Sequence, residues 1–255
     1  MMAVDFQPRL ALASLSGQSD AAWAAAASDY AGAAVLGGIA LDGPTREAAR
    51  EMVERDRTEF LPPDPFVFLD IQLAALESTP LLAGFNVRAG SAPPIREAAR
   101  ICASHDAMVE INGHCRQDEM CRAGAGESLL RDPARLCAQV RAASETGATV
   151  SVKVRTELDG VDLSSVTARV VEAGADVLHV DAMDSESMVA EVVESAHSDT
   201  FVIANNGVRD RDTVREYLEY GADAVSVGRP SDDPDVLDRV RRATDEYVAT
   251  LEGSV

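Results

Sequence analysis

Short apolar runs alternate with amphipathic stretches along the whole chain. The runs are Leu10–Leu15, Ala33–Gly38, Leu81–Val87, Ala107–Ile111, Val150–Val154, Val177–Val180, Phe201–Ala204 and Ala224–Val227. Each is aliphatic or β-branched and bounded by Gly, Asp or Asn, which predicts strands buried on both faces, as in a parallel sheet. Helical patterns fall between them at Pro94–Ser104, Pro133–Thr146, Leu163–Ala173, Ser185–Ala196, Asp212–Tyr220 and Pro234–Leu251. Eight strands in strict alternation with helices predict a closed parallel (β/α)8 (TIM) barrel of the α/β class. Two junctions nearly repeat each other, Glu172-Ala-Gly-Ala-Asp176 and Tyr220-Gly-Ala-Asp223. In each, the glycine suits the positive φ that ends a helix before the next strand begins. The least regular region, about 40–80, holds Pro44, Pro62, Pro63 and Pro65. It reads as a long excursion with one or two helices that covers the barrel mouth.

The length of 255 residues suits one such barrel, and residues 1–255 read as a single domain. No apolar run is long enough to cross a membrane, and the first ten residues carry no apolar stretch of a signal peptide, so a cytoplasmic protein is expected.

Charge alters the picture. Acidic residues number 43 against 23 basic ones, a formal net charge of −20. Lys153 is the only lysine among them; every other basic residue is an arginine. A surface this acidic and lysine-poor suits a halophilic protein, because concentrated salt screens its self-repulsion. It also argues against nucleic-acid binding through any basic patch visible in the sequence. The four cysteines, 102, 115, 121 and 137, form no pair of CxxC motifs and no zinc spacing with histidine. No metal site is expected.

In parallel barrels, ligands sit at the C-terminal strand ends, and the loops after the last two strands often hold phosphate. Here those loops read Asn205-Asn206-Gly207-Val208 and Gly228-Arg229. Glycine lets backbone N–H groups approach an anion, and Arg229 supplies a bidentate contact. The pattern alone fits a flavin phosphate and a sugar phosphate equally. Lys153 lies inside the fifth run, where a charge is costly unless it has a task. A desolvated cation there would stabilise negative charge on a flavin as it is reduced; the bland reading is an ion pair at the barrel end. His179, near the end of the sixth run, reads either as a satisfied core residue or as a ligand contact. Asn86 and Asn112, at the ends of the third and fourth runs, offer amides to the edge of a flavin or pyrimidine.

After the fourth run comes Asn112-Gly-His-Cys115, then Gly124-Ala-Gly-Glu-Ser-Leu-Leu130. This pattern resembles the tRNA-dihydrouridine synthase family, flavin mononucleotide (FMN) barrels related to dihydroorotate dehydrogenases. The likeness extends over nearly the whole barrel. Leu12 through Asp20 resembles the family's first-strand motif, with Ser14 and Leu15 where Pro and Met are usual. Lys153 with Arg155 resembles its Lys-x-Arg strand, His179 its strand-6 histidine, and Asn206-Gly207 with Gly228-Arg229 its phosphate loops. The resemblance implies FMN held by Lys153, His179, Asn206, Gly207, Gly228 and Arg229, with Asn86 at the ring and NADPH as electron donor. It implies Asn112 and Arg155 at the substrate, tRNA as partner, and Cys115 as the acid that protonates one carbon of a pyrimidine C5–C6 bond. The alternative for Cys115 is an inert loop thiol. Cys102 and Cys137 fall on helices and read as core residues.

The chain departs from the family at several points. Arg116 replaces the proline after the cysteine, His114 the glycine before it, Asn86 a glutamine, and Val180-Asp181 a Gly-Arg pair. It resembles a short archaeal form without the family's C-terminal helical RNA-binding domain. Either tRNA is gripped otherwise, or the substrate is a free pyrimidine, as for a dihydroorotate or dihydropyrimidine dehydrogenase. A third reading is a phosphate-binding barrel without redox chemistry. Oligomerisation is open.

Overall fold

The computed structural model describes residues 4–252. Eight parallel strands close on themselves: β1 (Leu10–Leu12), β2 (Ala33–Ala40), β3 (Leu82–Arg88), β4 (Met108–Asn112), β5 (Thr149–Arg155), β6 (Val177–Asp181), β7 (Phe201–Asn205) and β8 (Ala224–Val227). Pairing of Leu10 with Val225 and Leu12 with Val227 makes the last contact of the ring. The predicted (β/α)8 barrel is the observed one. All eight runs are strands, shifted by a residue or two, except that β1 stops at Leu12 and frees Ala13 to Ser16 for the barrel mouth.

Among the described residues, ten α-helices follow in chain order: α1 (Ala21–Ala26), α2 (Gly43–Glu54), α3 (Pro65–Ala74), α4 (Ala92–Ser104), α5 (Asp118–Arg122), α6 (Pro133–Ser144), α7 (Leu163–Glu172), α8 (Met188–Ser195), α9 (Arg211–Glu219) and α10 (Pro234–Glu252). Many start the same way. Asp20, Asp42, Asp64, Asp132, Asp162 and Asp210 each sit at an N-cap and accept a backbone N–H from the first turn. Part of the excess acid therefore supports helix starts, where the dipole favours negative charge. At the α7 exit, Gly174 has φ +109°, and a Cβ there would lie 2.6 Å from Ser144 Oγ. That junction needs glycine for both conformation and space.

Strand alternation sorts the core into two shells. On β5, Val150, Val152 and Val154 face outward into an apolar layer with Leu136, Val140, Val166 and Val170. Inside the barrel, the N-terminal end is closed by Phe6, Met108, Val177, Phe201 and Ile203. Toward the C-terminal end the buried set turns polar: Asn86, Glu110, Asn112, Ser151, Lys153, His179 and Ser226. An apolar plug below and a polar floor above leave the chemistry at one end.

The excursion between β2 and β3 carries two helices, α2 and α3, and brings Met52, Arg57 and Glu59 to the mouth, as the sequence predicts. Cys102 and Cys137 are buried on α4 and α6, and burial pushes the Cys102 thiol up to about 12. Among the described residues, no helix is long and apolar enough to cross a membrane, and no group of three His, Cys, Asp or Glu side chains could hold a metal ion.

Candidate active site

A cavity of about 750 Å³ opens at the C-terminal end of the barrel. Lys153, Asn206, Gly207, Gly228, Arg229, Asn112, Cys115 and Arg155 all line it. Strands five, seven and eight and the loop after β4 thus bring these predicted residues to one place.

The β7 and β8 ends form an open cradle. Asn206 and Gly207 both take positive φ, +97° and +66°, turning the chain sharply off β7. A Cβ on Gly207 would find only Arg209 Nη1 within 4 Å, at 3.9 Å, and one on Gly228 only Leu15 Cδ2, also at 3.9 Å. Unlike Gly174, these glycines face free space rather than a packed neighbour. They keep a path to the backbone open, as phosphate loops do. The Asn206 turn is pinned by Tyr217, whose Oη donates to the Asn206 carbonyl at 2.8 Å. Arg229 follows at the rim, exposed, with no side-chain hydrogen bond or ion pair.

Lys153 is 2% exposed, and its ammonium has neither a hydrogen bond nor a carboxylate oxygen within 4 Å. A barrel-end ion pair is therefore not its role. A buried ammonium whose donors are unused at a cavity wall matches an anionic or carbonyl-rich ligand.

Beneath the cavity lies a polar network centred on Glu110, a residue without an assigned role in the sequence reading. His179 Nδ1 lies 2.7 Å from Glu110 Oε2, Asn86 Nδ2 donates to Glu110 Oε1 at 2.7 Å, and Ser151 Oγ donates to Oε2 at 3.3 Å. Burial alone would raise the Glu110 carboxyl, but His179, Lys153 and Asn86 outweigh it and hold it at about 2. Burial, helped by Lys153, lowers His179 despite Glu110. The pair is therefore an ionised carboxylate and a neutral imidazole. Nδ1–H then donates to Glu110, and Nε2 accepts from Ser226 Oγ at 2.7 Å, while Ser226 accepts from Asn205 Nδ2 at 2.8 Å.

This network alters the reading of three predicted contacts. His179 and Asn86 are fully buried and do not line the cavity. Both ring nitrogens of His179 are already bonded. Asn112 does line the cavity, yet its amide is committed on both sides: Nδ2 donates to Asn86 Oδ1 at 2.8 Å, and Oδ1 accepts the Cys115 N–H at 3.0 Å. It clamps the cysteine loop onto the network.

The Gly124-Ala-Gly motif clamps the same loop from the other side. Gly126 has φ +63°, and any Cβ there would overlap the Cys115 carbonyl, which accepts from Glu127 N at 2.9 Å. Glu127 pairs with Arg155 at 2.7 Å, and Arg88 pairs with Glu59 at 2.7 Å and bonds Ser16. Cys115 is half-buried and lines the cavity, while the neighbouring Cys121 thiol turns to the Cys115 carbonyl at 3.6 Å. His114 also reaches the wall. Its Nδ1 is buried without a partner, and burial together with Lys153 lowers it well below an ordinary histidine. No periodicity or motif marks Glu110, Arg88 or Glu59 in advance, because their partners lie far away in the chain, and His114 is marked only by its buried, unpartnered Nδ1.

Glu110 should dominate the acid stability of the fold. Its folded value is depressed from 4.5, so its contribution is complete above pH 4.5 and is lost as pH falls toward 2. The lowered His179 has the opposite origin but the same direction: the unfolded chain takes up the proton first, so stability starts to fall below pH 6.5. Glu110→Ala leaves the neutral His179 and Asn86 donors unsatisfied and should cost about 2–5 kcal/mol at neutral pH. Denaturant titrations across pH should show the wild-type loss between pH 4.5 and 2 missing in the variant. An unchanged acid limb would contradict the assignment.

The dihydrouridine synthase family model matches residues 77–250. An uncharacterised protein of Methanocaldococcus jannaschii is 27% identical over 234 residues, covering 87% of this chain and 88% of its own length. Among solved structures, morphinone reductase in complex with tetrahydroNAD aligns over 94% of this chain and 88% of that one, with a TM-score of 0.66 and 13% identity. That last likeness concerns the fold.

Proposed function

The chain belongs to the dihydrouridine synthase family and is a flavin-dependent oxidoreductase; from this we propose that it reduces the C5–C6 bond of uridine in tRNA with NADPH as electron donor. The observation that carries the reading is the convergence of the Lys153 ammonium, the Gly207 and Gly228 cradle and the Cys115 thiol on one cavity.

The residues present fit FMN. Gly207, Gly228 and Asn206 offer backbone approach and Arg229 a free guanidinium for a phosphate. Lys153 stands ready for the electron-rich edge of a ring. When bound, the flavin supplies the hydride for one carbon of the pyrimidine double bond. Cys115 holds the proton for the other carbon at Sγ and becomes a thiolate, which water reprotonates. Asn112 and the Gly126 turn keep Sγ in place. Arg155, held by Glu127, borders the substrate side. His179 and Asn86 act through Glu110 as positioning residues, because the floor they form carries Lys153 and Asn112.

The test is nucleoside mass spectrometry. Purified yellow protein with NADPH should convert uridine to dihydrouridine at one position of a tRNA transcript, and tRNA from a deletion strain should lack dihydrouridine there. Flavin reoxidised by a free pyrimidine, with the transcript untouched, would replace tRNA by a small substrate.

A further inference from the structure

The cavity rim reverses the charge of the molecule. The protein carries a net −20, yet the cavity is lined by Arg57, Arg88, Arg116, Lys153, Arg155, Arg209 and Arg229 against only Glu59 and Asp181. Most of these cations have a partner or a task. Arg88 pairs with Glu59, Arg155 with Glu127, and Arg209 lies 3.6 Å from Asp210. Lys153 and Arg229 are the residues assigned to the flavin.

Arg57 and Arg116 remain. Both are exposed, and neither makes a side-chain hydrogen bond or an ion pair. Elsewhere on the surface, arginines such as Arg50, Arg96, Arg211 and Arg242 each have a carboxylate within 4 Å. With nearly two acids for every base, an arginine left bare is the exception. Arg141 and Arg169 also lack partners but lie away from the cavity, whereas Arg57 and Arg116 line it and stand on abutting segments: Arg55 bonds Gln117 at 3.3 Å and Glu119 at 2.6 Å, tying the stretch after α2 to the stretch after Cys115. In the closed strand order, that wall, built on the β2 and β4 ends, faces the β7–β8 phosphate cradle across the mouth.

Resting on the tRNA reading above, we propose that Arg57 and Arg116 form a second anion site, which grips backbone phosphates of the RNA beside the uridine presented to Cys115. Two opposed cationic poles would then serve two different phosphates, the cofactor's on one wall and the substrate's on the other. The arginine side chain suits the task, since its fork binds phosphate oxygens through paired hydrogen bonds. In concentrated salt a diffuse field is screened within a few ångströms, so direct contacts of this kind must supply the grip. The −20 total is then no obstacle, because all the acids but Glu59 and Asp181 lie outside the cavity lining.

The test uses the yellow holoprotein, a tRNA transcript and a potassium chloride series. An Arg57→Gln/Arg116→Gln double variant should keep its flavin absorbance per protein. Its Kd for the transcript should rise about 10- to 100-fold at low salt, and the slope of log Kd against log salt should drop by about 2, roughly one per lost phosphate contact. Arg141→Gln/Arg169→Gln serves as control, removing two arginines that also lack partners but lie outside the cavity. Unchanged affinity and slope in the mouth variant, or an equal loss in the control, overturns the site. Reduction of free uridine monophosphate as readily as the transcript, with equal losses for both in the mouth variant, assigns the phosphate to a mononucleotide and also overturns it. A wild-type protein that neither binds nor reduces the transcript removes the tRNA reading itself, and the clamp with it.

Discussion

Cys115→Ser is expected to reduce dihydrouridine formation by about 10²- to 10⁴-fold, the usual range for losing a positioned proton donor. Serine keeps the size and the loop contacts, so Asn112 Oδ1 still accepts the backbone N–H at position 115 and the Gly126 turn still closes. Flavin content and flavin reduction by NADPH should remain at wild-type levels, because the thiol touches neither the glycine cradle nor Lys153. Stopped-flow measurement of the two half-reactions separates these outcomes. A variant that slows both half-reactions equally would make Cys115 a structural thiol. Cys121→Ser supplies the comparison. Burial and the neighbouring Glu127 raise the Cys121 thiol, and its Sγ points at a carbonyl, so its replacement should change the rate little.

Lys153→Met should lower the rate of flavin reduction by about 10²-fold, equivalent to about 3 kcal/mol of lost stabilisation for charge developing on the ring. Methionine has nearly the same length and no charge, so the wall keeps its shape. The flavin midpoint potential should become more negative, and the protein should lose colour more readily on dialysis. A second consequence lies below the cavity. Lys153 is one of the groups that hold Glu110 ionised, so its removal should shift the acid limb of unfolding to higher pH. Lys153→Arg should not rescue the enzyme, because a planar guanidinium does not reproduce a compact ammonium at a site this enclosed. An unchanged potential and undiminished flavin retention would remove Lys153 from the cofactor.

Both experiments act on residues whose types already stood out in the chain. The only lysine, placed inside an apolar run, and a cysteine set three residues after an asparagine are visible without coordinates. So are the eight runs, since burial on both faces leaves a continuous apolar signature, and the glycines after the last two strands, Gly207 at positive φ and Gly228 where a bare backbone faces open space. These signals are local: each depends on neighbours a few positions away.

What escaped such reading depends on closure of the ring. Glu110 in β4 meets His179 in β6 and Asn86 in β3, and Ser226 in β8 reaches His179 from the other side, separations of 69, 24 and 47 residues. No periodicity couples positions that far apart, so the chain alone suggested His179 and Asn86 as ligand contacts and gave no sign of the buried polar network the structure places them in. The same holds for Arg57 and Arg116. Their lack of a carboxylate is a property of where every acid ends up, and composition alone, with its −20 total, pointed the opposite way. Residue chemistry and strand pattern are written locally and survive in one dimension; which charges are neutralised is settled only when the barrel closes and brings distant side chains within a few ångströms.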